Sequence, residues 1–191
     1  AYRLLQGADV VVYDRLVHNE VLDLVPTGVA RISVGKESGR HTLPQEQINR
    51  MLVDLARTRA TVVRLKGGDP FIFGRGSEEA LCLQRHGIRF EVVPGITAAT
   101  ACSTYAGVPL THRGESRGVQ FVTGHFRENQ ELDLDWRALA NPDSTLVVYM
   151  GLSNLVPISN HLVAAGLDPA TPAMAVQDGT TSAQRRVQAT L

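Results

Sequence analysis

The stretch TVVRLKGGDPFIFGRGSEEALCLQRHG, residues 61–87, changes texture within a few residues. Thr61 to Leu65 is brief, apolar and β-branched, the pattern of a buried strand. Gly67-Gly68-Asp69-Pro70 then breaks the run with turn chemistry. Ser77 to His86 reads as a helix, with Ser77 as its cap, Glu78 and Glu79 at the positive end of its dipole, and Gly87 as its stop. A strand that feeds a helix through a glycine turn is the repeating unit of an α/β protein.

The same alternation extends in both directions. Asp9 to Asp14 and Ala30 to Val34 read as strands. Between Thr42 and Arg57, Ile48, Met51, Leu52, Leu55 and Ala56 fall on one face of a 3.6-residue period, with Thr42 and Gln45 as a capping box and Pro44 in the first turn. Phe90 to Val93 reads as a strand and Ile96 to Tyr105 as a small-residue helix. This order predicts a largely parallel sheet flanked by helices. After Pro109 the texture changes, and His112 to Arg117 is polar and loop-like. Strands follow at Val119–Thr123 and Thr145–Met150, a helix at Ser153–Ala165, and strands at Ala173–Gln177 and Arg186–Leu191. The acidic stretch Glu128–Asp135 reads as a solvated loop leading into a short helix at Trp136. The expectation is two α/β domains, residues 1–113 and 114–191, meeting near residues 112–117.

Composition narrows the function classes. The 191 residues are 43% hydrophobic and 20% charged, ordinary for a globular protein, and the net charge is zero. Nothing global therefore favours nucleic acid or an anionic membrane as partner. No apolar run approaches the roughly 20 residues of a membrane span, and no signal-peptide pattern opens the chain. Cys82 and Cys102 form no metal or disulfide pattern and read as small buried hydrophobes, which points to the cytoplasm. The histidines lack metal-ligand spacing, so no metal is expected. All but two of the 19 basic residues are Arg, the exceptions being Lys36 and Lys66. Base composition explains that bias, and so does a ligand rich in carboxylates.

In open α/β sheets, ligands sit beyond the carboxyl ends of strands. Gly67 and Gly68 would let a ligand approach the backbone, and Asp69 would accept from a hydroxyl or amine, although Gly-Gly-Asp-Pro is also plain turn chemistry. Phe71 to Phe73 form either a wall or core. Arg75, set between glycines at a helix start, is a carboxylate receiver, with Arg113 a second candidate. Asp14 and Lys36 close successive strands and form a candidate proton-handling pair; a salt bridge is the plainer reading.

Eight segments taken together resemble the uroporphyrinogen-III C-methyltransferases of the tetrapyrrole methylase family. They are ADVVVYDRLV (8–17), VGKESGRHTLPQEQIN (34–49), VVRLKGGDPFIFGRGSEE (62–79), VVPGITAAT (92–100), GVPLTHR (107–113), VTGH (122–125), VVYMGL (147–152) and AVQDGT (175–180). The resemblance implies two α/β domains with a cleft between them, a homodimer, and successive methylation of uroporphyrinogen III at C2 and C7 to precorrin-2. It implies S-adenosyl-L-methionine as methyl donor, contacted by Gly67, Gly68, Asp69, Ile72, Thr97, Ala98, Met150 and Gly179. Asp14 stands where the family has a proton acceptor and Lys36 where it has a proton donor. Arg75 and Arg113 would hold substrate carboxylates, with Glu78 orienting Arg75 or a pyrrole N–H. The alternatives are a related precorrin methylase and a non-catalytic module that binds a tetrapyrrole or S-adenosylmethionine.

The chain departs from the family pattern at its ends. A first strand and a loop of roughly G-x-G-x-G-D are absent before Ala1, which falls inside the first helix, and the chain stops where a last strand is under way. The expectation is a fragment whose sheet has a gap or an exposed edge, with low stability and little turnover.

Overall fold

A computed structural model describes residues 1–35, 43–125 and 133–191. Contacts gather the chain into two compact units, Ala1–Ile96 and Thr97–Leu191.

In the first unit the order is α1 (Tyr2–Gln6), β1 (Val10–Tyr13), α2 (Asn19–Leu22), β2 (Ala30–Ser33), α3 (Gln45–Thr58), β3 (Val62–Leu65) and α4 (Gly76–Arg85). The strands form a parallel sheet in the order β2-β1-β3. Strand β1 is central and buried on both faces, so it reads as an unbroken Val run, and its side chains alternate between two cores. Val11 packs with Leu5, Ala8 and Val25 on one face, and Val12 with Val34, Ile48 and Leu52 of α3 on the other. Burying each such valine contributes roughly 1.5–3 kcal/mol. Helix α3 lays the expected face, Ile48 and Leu52, on the sheet.

Several expectations are corrected here. Phe90 to Val93 is not a strand among the described residues. It runs without ladder bonds, and Phe90 and Val92 are 47% and 39% exposed. A groove of about 630 Å³ separates it from β3, lined in part by Leu4, Val63, Leu65 and Phe90. Strand β3 pairs only with β1 among the described residues. Ser77 does not cap α4: Arg75 is the N-cap residue and Ser77 lies in the first turn. Gly87 ends that helix with φ +69° as expected. Helix α2 had no signal in the sequence reading. The capping box falls on Thr42, outside the described residues.

In the second unit the order is α5 (Ala98–Ala106), β4 (Gly118–Thr123), α6 (Trp136–Leu139), β5 (Ser144–Tyr149), a 3₁₀ turn (Leu152–Asn154), α7 (Leu155–Ala164), β6 (Pro172–Gln177) and β7 (Arg185–Thr190). Strands β4 and β5 pair in parallel, and β6 and β7 form an antiparallel hairpin. Leu139, Ile158 and Leu162 make the core, with Val122, Leu146 and Val148 against it. Helix α5 belongs to this unit: Arg186 of β7 donates to the Ala106 carbonyl at 2.8 Å, and Ala99 N–H donates to the Tyr149 hydroxyl of β5 at 3.0 Å. The division drawn by contacts thus falls at Ile96/Thr97, whereas the change of texture lies at residues 112–117, inside the second unit. No helix among the described residues is long and apolar enough to cross a membrane.

Candidate functional site

In the first unit, the carboxyl ends of all three strands meet. A Cβ on Gly35, after β2, would lie 2.5 Å from the Arg15 backbone nitrogen, and one on Gly67, after β3, would lie 2.8 Å from the Leu16 carbonyl oxygen. Glycine at these positions lets the loops after β2 and β3 close on the loop after β1. Asp14 sits in that last loop. Its Oδ1 accepts from Leu16 N–H at 3.0 Å and its Oδ2 lies 3.4 Å from Arg64 Nη2. Lys36 lies outside the described residues.

The Gly67–Gly76 loop is tied down by Asp69. Phe71 N–H donates to Oδ1 at 2.9 Å and Gly95 N–H donates to Oδ2 at 3.0 Å. Those two donors hold the Asp69 carboxyl below its ordinary pKa, the Gly95 bond being the larger cause. Gly68 turns with φ +76°, and a Cβ on Gly95 would meet its carbonyl oxygen at 2.0 Å. Ile72 is half-buried, while Phe71 and Phe73 are 55% and 42% exposed, so these rings face outward as a wall and are not core.

Arg75 takes the left-handed conformation (φ +56°) as it enters α4. Its Nε and Nη2 grip the Glu78 carboxylate at 2.8 Å each, a bidentate fork. The pair is exposed; the hydrogen bond pulls the Glu78 pKa down and raises that of Arg75. The structure therefore brings Arg75 and Glu78 together as expected.

Sequence reasoning missed a second group. Arg64 Nε lies 3.1 Å from Glu79 Oε1, Lys66 Nζ lies 3.2 Å from the same oxygen, and Gln45 Nε2 of α3 donates to it at 3.3 Å. The Lys66 pKa is lowered, first by burial and then by Arg64, against which Glu79 acts. A signal was present: Arg64 pairs in register with Val12, so it lies on the sheet face that α3 covers. A cation at an inward position needs a buried anion.

In the second unit, four proposed cofactor residues gather about the first half of α5. The Tyr149 hydroxyl is hydrogen-bonded to Thr97 Oγ1 and accepts from Ala99 N–H, which ties the end of β5 to the residues on either side of Ala98. Met150 follows with φ +57° and is 55% exposed. A Cβ on Gly179 would lie 2.2 Å from Cys102 Sγ, so the turn after β6 rests on α5 as well. Burial pushes the Cys102 thiol pKa up. Arg113 is exposed in the turn closed by the His112–Ser116 bridge.

The tetrapyrrole (corrin/porphyrin) methylases match the chain over residues 1–191. A sirohaem synthase of Nitrosospira multiformis is 57% identical over 191 residues, covering 100% of this chain and 40% of the relative. The chain thus spans about 40% of the length of the curated relatives it matches. The uroporphyrin-III C-methyl transferase from Thermus thermophilus, solved in complex with S-adenyl homocysteine, superposes with TM-score 0.83 at 44% identity, over 100% of this chain and 80% of that one. A cobalt precorrin-4 methyltransferase of cobalamin biosynthesis superposes with TM-score 0.82 at 26% identity, over 99% of this chain and 77% of that one. Matched from its first residue to its last, and sharing the α/β fold of these enzymes, the chain belongs to the tetrapyrrole (corrin/porphyrin) methylases, a family of methyltransferases.

Proposed function

We propose that this chain carries the S-adenosyl-L-methionine-dependent C-methylation of uroporphyrinogen III, at C2 and then C7, giving precorrin-2 for sirohaem or cobalamin. The observation that supports this best is its likeness, along its whole length, to the Thermus thermophilus uroporphyrin-III C-methyl transferase at 44% identity. The likeness to a cobalt precorrin-4 methyltransferase at 26% identity supports the same chemistry on a related precorrin less well. The division of labour would follow two domains, residues 1–113 and 114–191, in a cytoplasmic homodimer.

When bound, S-adenosylmethionine supplies an electrophilic methyl group on a sulfonium. Gly67, Gly68, Asp69 and Ile72, with Thr97, Ala98, Met150 and Gly179, would hold it. The backbone at Gly68 and that at Thr97 would each help to orient it, and Phe71 and Phe73 would help to exclude water. Asp14 would take the proton that the methylated macrocycle must lose, and Lys36 would return one. Arg75 and Arg113 would receive substrate carboxylates. Glu78 already holds the Arg75 fork in one plane, so that cation is aimed before the substrate arrives.

The test is to incubate the full-length protein with uroporphyrinogen III and S-adenosylmethionine and weigh the product. Two added methyl groups support the reading. Methylation of a later precorrin in place of uroporphyrinogen III supports the related enzyme, and binding of S-adenosylhomocysteine without turnover supports a non-catalytic module. Arg75→Ala should raise the KM for uroporphyrinogen III roughly tenfold, the value of one charge-assisted contact, with S-adenosylhomocysteine affinity unchanged.

A further inference from the structure

Among the described residues Glu79 is the one charged side chain in the fully buried class, at 5% exposure, and nothing proposed above uses it. A carboxylate that far from water persists only when paired. Its pairing does more than neutralise it. Arg64 stretches between two carboxylates, with Nε on Glu79 at 3.1 Å and Nη2 on Asp14 at 3.4 Å. Its Nη1 donates to the Leu65 and Val12 carbonyl oxygens at 2.9 and 3.4 Å. The guanidinium is therefore fixed by β3, by β1 and by α4 at once. Asp14 is held on its other oxygen by Leu16 N–H.

We infer that Glu79 is a positioning residue for Asp14: through Arg64 it fixes the orientation of that carboxylate, and it shares with Asp14 the charge of the cations between them. The inference rests on the reading of Asp14 as the proton acceptor. The charged groups near Asp14 among the described residues are Arg64 on β3, Lys66 beyond its end, Glu79 on α4 and the adjoining Arg15, while Gln45 of α3 is neutral. With Glu79 in place, Arg64 and Lys66 face two carboxylates. Without its charge, Asp14 is left as the one carboxylate on Arg64 among the described residues, and putting a proton on it costs more. Burial already presses Lys66 toward its neutral form, with Glu79 as the first counterweight.

The experiment uses the full-length protein with Asp14→Asn, Glu79→Gln and the double change Glu79→Gln/Lys66→Met. It follows kcat against pH, KM for both substrates, and urea denaturation. Asp14→Asn should lower kcat by about 100-fold or more. Glu79→Gln should move the acidic limb of the kcat profile down by about one pH unit and lower its plateau roughly tenfold, with KM values nearly unchanged. The double change restores the charge balance and should bring the limb back. An acidic limb that stays in place in Glu79→Gln overturns the inference, even if kcat falls, because a purely structural defect has that outcome. Should Glu79→Gln fail to fold, the charge-balanced double variant decides, and a displaced limb there overturns the inference. Unchanged turnover in Asp14→Asn instead overturns the role of Asp14, a failure distinct from that of Glu79.

Discussion

In the first unit, Asp14, Arg64, Lys66 and Glu79 meet at 3.1–3.4 Å, four charges in a partly dry space. In the second, Thr97 and Ala99 are held by a phenol, and Gly179 by contact with a thiol, all uncharged groups. The charged cluster of the first unit and the proposed cofactor residues of the second thus answer to different physics. The first depends on charge balance and protonation. The second depends on shape, and on backbone turned to positive φ at Met150, Asp178 and Thr180. Charge is suited to the unit that carries the proposed proton acceptor, and neutral contacts to one proposed to present backbone and apolar groups.

The contrast can be broken by mutation. Glu79→Ala should have the largest effect, destabilising the protein by about 3–5 kcal/mol because Arg64 and Lys66 are left without their buried anion. Urea denaturation measures it, and a loss under about 1 kcal/mol would mean that the network is solvated. Gly179→Ala should cost about 1–3 kcal/mol through the clash with Cys102. Combining it with Cys102→Ala should recover most of that loss, a rescue by size alone that has no counterpart in the first unit.

Smaller effects sharpen the contrast. Tyr149→Phe removes the hydroxyl shared by Thr97 and Ala99 and should cost about 0.5–1.5 kcal/mol, with no change in pH dependence. Calorimetry with S-adenosylhomocysteine should show weaker binding at every pH. Asp69 should show the smallest effect, confined to acid. Its folded pKa is depressed, so its contribution is complete above the ordinary aspartate value and is lost as pH falls through the lower folded value. Stability measured against pH should fall in that window for the native protein and run flatter for Asp69→Asn.

The strand and helix pattern was legible wherever side-chain period matched burial, as at Val10–Val12 and along α3. Phe90–Val93 misled because β-branched, apolar composition marks a segment fit for a sheet, and ladder bonds need a neighbouring strand. Ser77 misled because a capping residue type does not reveal that the helix starts two residues earlier, at a left-handed Arg75. Of the site, the glycine turn and the Arg75–Glu78 pair were readable as local chemistry, since their contacts lie within a few residues.

By itself the sequence determined the α/β alternation, the glycine turns at strand ends and the family, all of which are carried by short-range pattern and by segments in fixed order. Only the tertiary structure decided that Arg64 joins Asp14 to Glu79, that Asp69 is tied to Gly95 and that Tyr149 braces Thr97. Each of those contacts links residues far apart in the chain, or selects one buried partner among many candidates. That choice is made by packing, where an unpaired charge or hydroxyl would be costly, and no local propensity encodes it.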